Sequence, residues 1–268
     1  MRPVVALLTD FGVRDHYAGT MKGVVLGICP DTTLVDISHD VPPHDLRTAA
    51  LELAASYRFF PAGTVFLVVV DPGVGSGRRP LAAEAGDYRF VAPDNGVLTA
   101  VFKETPPRRV VELTERRYGR PTVSRTFEGR DRFAPAAGWL AKGVEVRALG
   151  RPLTDYVLLT IPDPEVGSDE IRGAVLRVDR FGNLITNIDR RAYDRLARLG
   201  GRLHIRVGAV DVAQLVSTYA EVPAGEVAGL FGSSDHLELA ANSASAAALL
   251  GSGVDATVTV TREGGEQG

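Results

Sequence analysis

The run from Phe66 to Val70 (Phe-Leu-Val-Val-Val) constrains this chain more than any other stretch. Continuous apolar and β-branched residues of this length fit a strand buried on both faces, as in a sheet flanked by helices. The run breaks into Asp71-Pro-Gly-Val-Gly-Ser-Gly77, followed by Arg78 and Arg79. Three glycines and a proline allow a tight exit from the sheet. An acid therefore stands at the carboxyl end of a buried strand, the edge where open α/β sheets bind their ligands.

Other segments repeat this arrangement. Val4–Leu8 reads as a buried strand ending in Thr9-Asp10-Phe11-Gly12, and Tyr88–Ala92 as a strand ending in Pro93-Asp94-Asn95-Gly96. Between them, Met21, Val24, Val25 and Ile28 recur at helical spacing over 17–28 before Pro30. Thr33–Ile37 is a short strand, and Leu46–Phe59 an Ala- and Leu-rich helix capped near Asp45. Strands alternating with helices predict an α/β domain with a mainly parallel sheet over residues 1–162. A further helix is expected over Ala134–Lys142. The polar, Pro- and Gly-rich stretch 161–170 reads as a linker. Beyond it, short strands at Gly173–Val178, Leu203–Val207, Leu237–Ala240 and Ala256–Val260 predict a smaller, β-rich, barrel-like domain over 171–268. The tail from Glu263 is expected to fray.

At 268 residues, either one large domain or two modest ones can bury a core. A formal charge of −3 lacks the basic excess of a nucleic-acid binder. One cysteine, Cys29, in apolar surroundings, excludes an intramolecular disulfide framework and fits a reducing, cytoplasmic setting. No stretch approaches the length of a membrane span.

Asp10, Asp71 and Asp94 are the candidate carboxylates, since parallel strands place their carboxyl ends on one edge. Arg78 and Arg79 follow the loop and can orient Asp71. Thr126–Phe133 sets Glu128, Arg130, Asp131 and Arg132 among aromatics at a helix entrance. Asp179–Asn187 forms a tight turn whose Asn183 and Asn187 offer amide groups, and Phe231–Asp235 is a small polar loop. The five histidines lack a zinc spacing, the 73–77 glycines lack the Lys-Ser/Thr of a P-loop, and no serine elbow occurs. Strand-end acids also suit Mg²⁺ or Mn²⁺ in a nucleotidase, and an oligomeric module binding adenosine-like ligands is the non-catalytic alternative.

Six motifs in order resemble the S-adenosylmethionine hydrolases (hydroxide adenosyltransferases), relatives of the fluorinase and chlorinase. They are Thr9–Gly12 with Asp15 and Met21–Gly23; Asp71–Gly75 with Arg78; Ala92–Gly96; Gly129–Asp131 with Phe133–Pro135; Phe181–Asn183 with Thr186–Ile188; and Gly232–Ser234 with Leu237-Glu238. The resemblance implies hydrolysis of S-adenosylmethionine at the ribose 5′ carbon, without cofactor or metal, by a homotrimer whose ligand lies between the first domain of one subunit and the second domain of its neighbour. It implies that Asp71 and Arg78 hold the attacking water and that Asp10, with Phe11 beside it, takes the ribose hydroxyls. Phe181 and Asn183 match the adenine pocket, and Asp179, Ser233 and Ser234 match groups at the methionine end. The family histidine before Gly-Arg-Asp is Glu128 here. Glu128 can serve as a substitute base, weaken the chemistry, or be neutral to it. Retention of the acid at Asp71 argues against halide as nucleophile.

Overall fold

The computed structural model describes residues 2–263. The chain divides into two compact units between Thr160 and Ile161. The first contains β1 (Val4–Thr9), α1 (Tyr17–Ile28), β2 (Thr33–Ser38), α2 (Leu46–Ser56), β3 (Val65–Val69), β4 (Pro80–Ala85), β5 (Tyr88–Pro93), α3 (Thr99–Glu104), β6 (Pro107–Leu113), α4 (Ala134–Ala141) and β7 (Gly150–Pro152). All of β3 is buried, as its unbroken apolar run requires. Asp45 caps α2 by accepting from Thr48 N at 2.9 Å, and the helix passes into a 3₁₀ turn over Tyr57–Phe59.

The sheet order is β2-β1-β3-β5-β4-β6-β7. Its first four strands are parallel, but β4 runs antiparallel to both β5 and β6, and β6 to β7. The sheet is therefore mixed rather than mainly parallel. Chain length explains the difference. A parallel return needs a crossover of roughly a dozen residues or more, whereas only Gly86 and Asp87 separate β4 from β5. Such a link makes a hairpin, and Gly86 takes the positive φ of +55° that the turn requires. On the parallel half, β1, β3 and β5 end side by side, bringing Asp10, Asp71 and Asp94 to one edge. Leu7, Leu67 and Val91 pack with Met21 and Val25 of α1 and with Ala137 and Leu140 of α4 in the core.

The second unit contains β8 (Glu165–Val166), β9 (Glu170–Val178), β10 (Leu184–Asp189), α5 (Arg190–Ala197), β11 (Arg202–Val207), β12 (Val210–Val212), β13 (Val227–Phe231), β14 (His236–Ala241), α6 (Ala246–Leu250) and β15 (Thr257–Glu263). Its antiparallel sheet runs β12-β11-β15-β9-β10-β14-β13, with β8 on β9. A bridge from Leu215 to Gly229 of β13 brings the chain after β12 to the far strand, so the sheet is nearly closed like a barrel. Ile171, Val175, Leu184, Leu237, Leu239, Val258 and Val260 fill it. Residues 161–170 are not a free linker. β8 pairs with β9, and Asn187 Nδ2 donates to the carbonyl of Pro162 at 3.0 Å. Of the tail expected to fray, Glu263 ends β15 and 264–268 lie outside the described residues.

Candidate active site

Asp71 leaves the sheet one residue after Val70, and the chain turns twice, with Val74 N bonded to the Asp71 carbonyl and Ser76 N to that of Gly73. The turns bring Arg78 back onto Asp71. Arg78 Nε lies 2.8 Å from each carboxylate oxygen, and Nη2 also bonds Oδ2. On its other side, the same Nη2 lies 2.5 Å from Glu128 Oε2. Glu128 Oε1 is 3.3 Å from Arg132 Nε. Both Glu128 contacts lie off the N–H directions and are charge contacts rather than linear hydrogen bonds. The side chains of Asp71, Arg78 and Glu128 are 5%, 9% and 13% exposed, so the three charges interact away from bulk water. The Phe133 ring lies 5.1 Å from the Arg78 guanidinium carbon. Burial works against the Arg78 charge, but the bond and charge of Asp71, then Glu128, outweigh it and hold its pKa above the ordinary arginine value.

Two further groups fix this loop. Asn95 Nδ2 donates to the Val70 carbonyl at 2.9 Å, pinning the residue before Asp71. Gly75 has a φ of +78°, and a Cβ there would run into the carbonyl oxygen of Arg125. Arg125 belongs to a segment held by Asp131, a fully buried carboxylate that accepts from Ser124 N at 2.8 Å and Arg130 Nε at 2.7 Å. Burial opposes the Asp131 charge, yet the Arg130 and Ser124 bonds outweigh it and lower its pKa. The Gly-Arg-Asp motif thus contributes structure through Asp131, and Glu128 enters the site from the residue just before a π-helical turn over Gly129–Phe133.

Arg79 and Asp94 do not join the group. Arg79 Nε bonds Asp94 Oδ2 and Nη1 bonds Asp155 Oδ1, each at 2.8 Å, while Asp94 Oδ1 accepts from Val157 N at 2.7 Å. The two adjacent arginines thus serve different carboxylates. Asp94 is thereby a structural carboxylate. Asp10 Oδ2 accepts from His44 N at 2.9 Å. The Phe11 ring reaches Phe127 at 6.2 Å and Tyr17 at 5.7 Å, and Tyr17 reaches Phe127 at 5.0 Å. This aromatic wall links the Asp10 turn to the residue preceding Glu128. Sequence reasoning missed Tyr17 and Phe127 as site residues; the one signal was the density of aromatics around Glu128. Among the described residues, no three His, Cys, Asp or Glu side chains are grouped to hold a metal ion.

In the second unit, Asp179 organises the turn after β9. Oδ1 accepts from Phe181 N and Asn183 N, and Oδ2 from Asn183 Nδ2, all at 2.9 Å. The Asn183 amide is thus partly committed, and Asn187 is wholly structural, accepting from Ala174 N as well as donating to Pro162. Phe181 is 76% exposed. Ser233 and Ser234 lie in the turn between β13 and β14, where His236 Nδ1 is 2.8 Å from the Ser234 carbonyl. Glu238 is buried against Gly232 of that turn, where any Cβ would overlap its carboxylate. Burial first, then the charge of Asp179, raises the Glu238 pKa, with Arg177 opposing. Burial, Glu238 and Asp179 also raise the Tyr219 pKa. Asp179 and Glu238 thus act on Tyr219, and Asp179 on Glu238, through charge.

Residues 5–150 match the SAM hydroxide adenosyltransferase N-terminal domain, and residues 173–259 match the corresponding C-terminal domain. The chain belongs to the SAM hydroxide adenosyltransferase family. A (R)-S-adenosyl-L-methionine hydrolase from Thermus thermophilus is 40% identical over 259 residues, covering 94% of this chain and 96% of the relative. A fluorinase from Nocardia brasiliensis is 31% identical, with 92% of each chain covered. The crystal structure of a conserved protein from Thermotoga maritima superimposes with a TM-score of 0.90 at 35% identity, covering 96% of this chain and all of that one.

Proposed function

We propose that this protein hydrolyses S-adenosyl-L-methionine to adenosine and L-methionine. The observation that carries this reading is the buried Asp71–Arg78–Glu128 group at the sheet edge, beside the Phe11–Tyr17–Phe127 wall. Arg78 Nε and Nη2 are engaged by the two carboxylates, which leaves Nη1 to donate to a water oxygen. Asp71 and Arg78 orient that water, and Glu128 receives its proton. The water oxygen forms a bond to C5′ as the C5′–S bond breaks. The bonding pair leaves on sulfur, so the cationic sulfonium becomes neutral thioether and one proton is released. Holding water in line with the breaking bond supplies the catalysis that bulk solvent cannot. No redox step occurs, and the reaction as written calls on no metal or organic cofactor.

Asp10 and Phe11 take the ribose, Phe181 and Asn183 the adenine, and Asp179, Ser233 and Ser234 the methionine end. The two groups of residues meet across subunits of a cytoplasmic homotrimer, the first unit of one chain facing the second unit of its neighbour. The exposed Phe181 ring supports this arrangement, since an aromatic surface of that size gains by being covered. Sedimentation should give three times the chain mass of 28.6 kDa. The reaction is tested with S-adenosylmethionine in ¹⁸O-labelled water. Adenosine carrying the label at the 5′ oxygen is expected; tight ligand binding without adenosine after long incubation would replace this reading with that of a binding protein.

A further inference from the structure

Thr9, the last residue of β1, is fully buried, and its Oγ1 lies 2.8 Å from His39 Nδ1. His39, itself buried just after β2, places Nε2 3.0 Å from Asp36 Oδ1, somewhat off the N–H axis. Asp36 Oδ2 in turn accepts from Lys22 Nζ of α1 at 2.6 Å. Backbone bonds close the figure. Phe11 N donates to Thr9 Oγ1 at 3.3 Å, and Gly12 N to the His39 carbonyl at 2.7 Å. Asp10 sits inside this loop, between Thr9 and Phe11.

The ends of the chain set which proton order suits it. Lys22 only donates and a carboxylate only accepts, so the tautomer with its proton on His39 Nε2 is the one that suits Asp36. In that tautomer Nδ1 offers a lone pair to which the Thr9 hydroxyl donates. The oxygen of that hydroxyl remains free to accept from the Phe11 amide. Burial disfavours the Asp36 charge, but the Lys22 and His39 bonds outweigh it and lower its pKa, which keeps the acceptor end in place.

Stapling β2 to β1 does not account for this chain. The two strands are already registered by a parallel ladder from Val4↔Thr33 to Leu7↔Asp36, which shifts before Leu8↔Ser38. The side-chain relay begins where the regular ladder ends and finishes on the amide next to Asp10. We propose that Lys22, Asp36, His39 and Thr9 form a positioning relay that sets the Asp10 turn to receive the vicinal hydroxyls of a ribose. The inference rests on the proposed role of Asp10 and adds four residues that the reaction itself does not use.

Calorimetric titration with adenosine and with 2′,3′-dideoxyadenosine tests it in the full-length protein. Wild type should prefer adenosine. Thr9→Val and Asp36→Ala should bind adenosine roughly tenfold more weakly, the effect of losing a buried hydrogen bond, while their affinity for the dideoxy analogue stays at the wild-type value. Thr9→Ser, which keeps the hydroxyl, should restore adenosine binding. Equal weakening toward both ligands, or unchanged adenosine affinity in both variants, overturns the relay. A wild type with no preference between the two ligands instead refutes the ribose role of Asp10, and the relay falls with it.

Discussion

Glu128 Oε2 lies 2.5 Å from Arg78 Nη2. Glu128, expected from the sequence to replace a family histidine, is therefore in direct contact with the guanidinium that also holds Asp71. A second cation, Arg132, lies 3.3 Å from its other oxygen. Glu128 is thus flanked by arginines rather than left facing Asp71 alone, and Arg78 sits between the two carboxylates. A histidine here would meet Arg78 as a neutral ring; a glutamate meets it as a counter-charge.

That difference sets the first prediction. Glu128→Gln keeps the shape of the side chain but removes its basicity, so kcat should fall by about 10²-fold or more with KM little changed. Glu128→His should retain turnover within about tenfold of wild type and acquire a rate inflection near the ordinary histidine range, about pH 6.5. Initial-rate profiles of adenosine release from pH 5 to 9 separate the variants. Wild-type kcat in Glu128→Gln would remove Glu128 from the chemistry.

Asp71→Asn addresses the other side of Arg78. The amide fills the same space, so the loop should persist while the charge that orients water is lost. Adenosine should still bind with near wild-type affinity, and single-turnover hydrolysis should slow by about 10²–10⁴-fold. Unimpaired hydrolysis would place the water elsewhere in the site.

The strand from Phe66 and the turn after it were legible because a continuous β-branched run and a Pro/Gly cluster are both local signals. β4 was not, since Pro80-Leu-Ala-Ala-Glu-Ala has neither alternation nor β-branching; its neighbours β5 and β6 decide its conformation. Neither β4 nor β6 and β7 was read as a strand, which is why a mainly parallel sheet was expected. The stretch 161–170 looked like a linker because its order comes from β9 and Asn187, far along the chain. Likewise the sequence placed Arg78 and Arg79 together, whereas the fold sends one to Asp71 and the other to Asp94. Glu238 was legible only as part of the Gly232–Ser234 and Leu237-Glu238 motif; its burial was not, since that depends on Gly232 and on Asp179 from another strand end.

Gly75 offers a test of how tightly the loop is determined. Alanine there must adopt a φ of +78° and displace the Arg125 backbone. Strain of this kind typically costs about 1–3 kcal/mol. Gly75→Ala should lower the melting temperature of the protein and reduce turnover more than Gly77→Ala, because Gly77 has no neighbour near its missing Cβ and no positive φ. Equal effects at the two glycines in calorimetry and rate assays would show that Arg125 yields without consequence.

Glu238 gives a pH-dependent prediction whose sign is fixed by its environment. Burial, followed by the nearby Asp179 charge, raises its pKa above the ordinary 4.5. The folded state therefore holds this proton more tightly than the unfolded chain does. The resulting stability is present below about pH 4.5 and is lost as pH rises through the folded pKa. Above that range, keeping this carboxyl buried works against folding. Glu238→Gln, which keeps the shape beside Gly232, should therefore melt above wild type at pH 7. The gap should narrow as pH falls toward 4.5. A carboxylate retained against stability beside Asp179 and Tyr219 suits contact with a cationic group, so the same variant should raise the KM for S-adenosylmethionine. A melting gap independent of pH would contradict the electrostatic account, and an unchanged KM would leave Glu238 with no part in substrate binding.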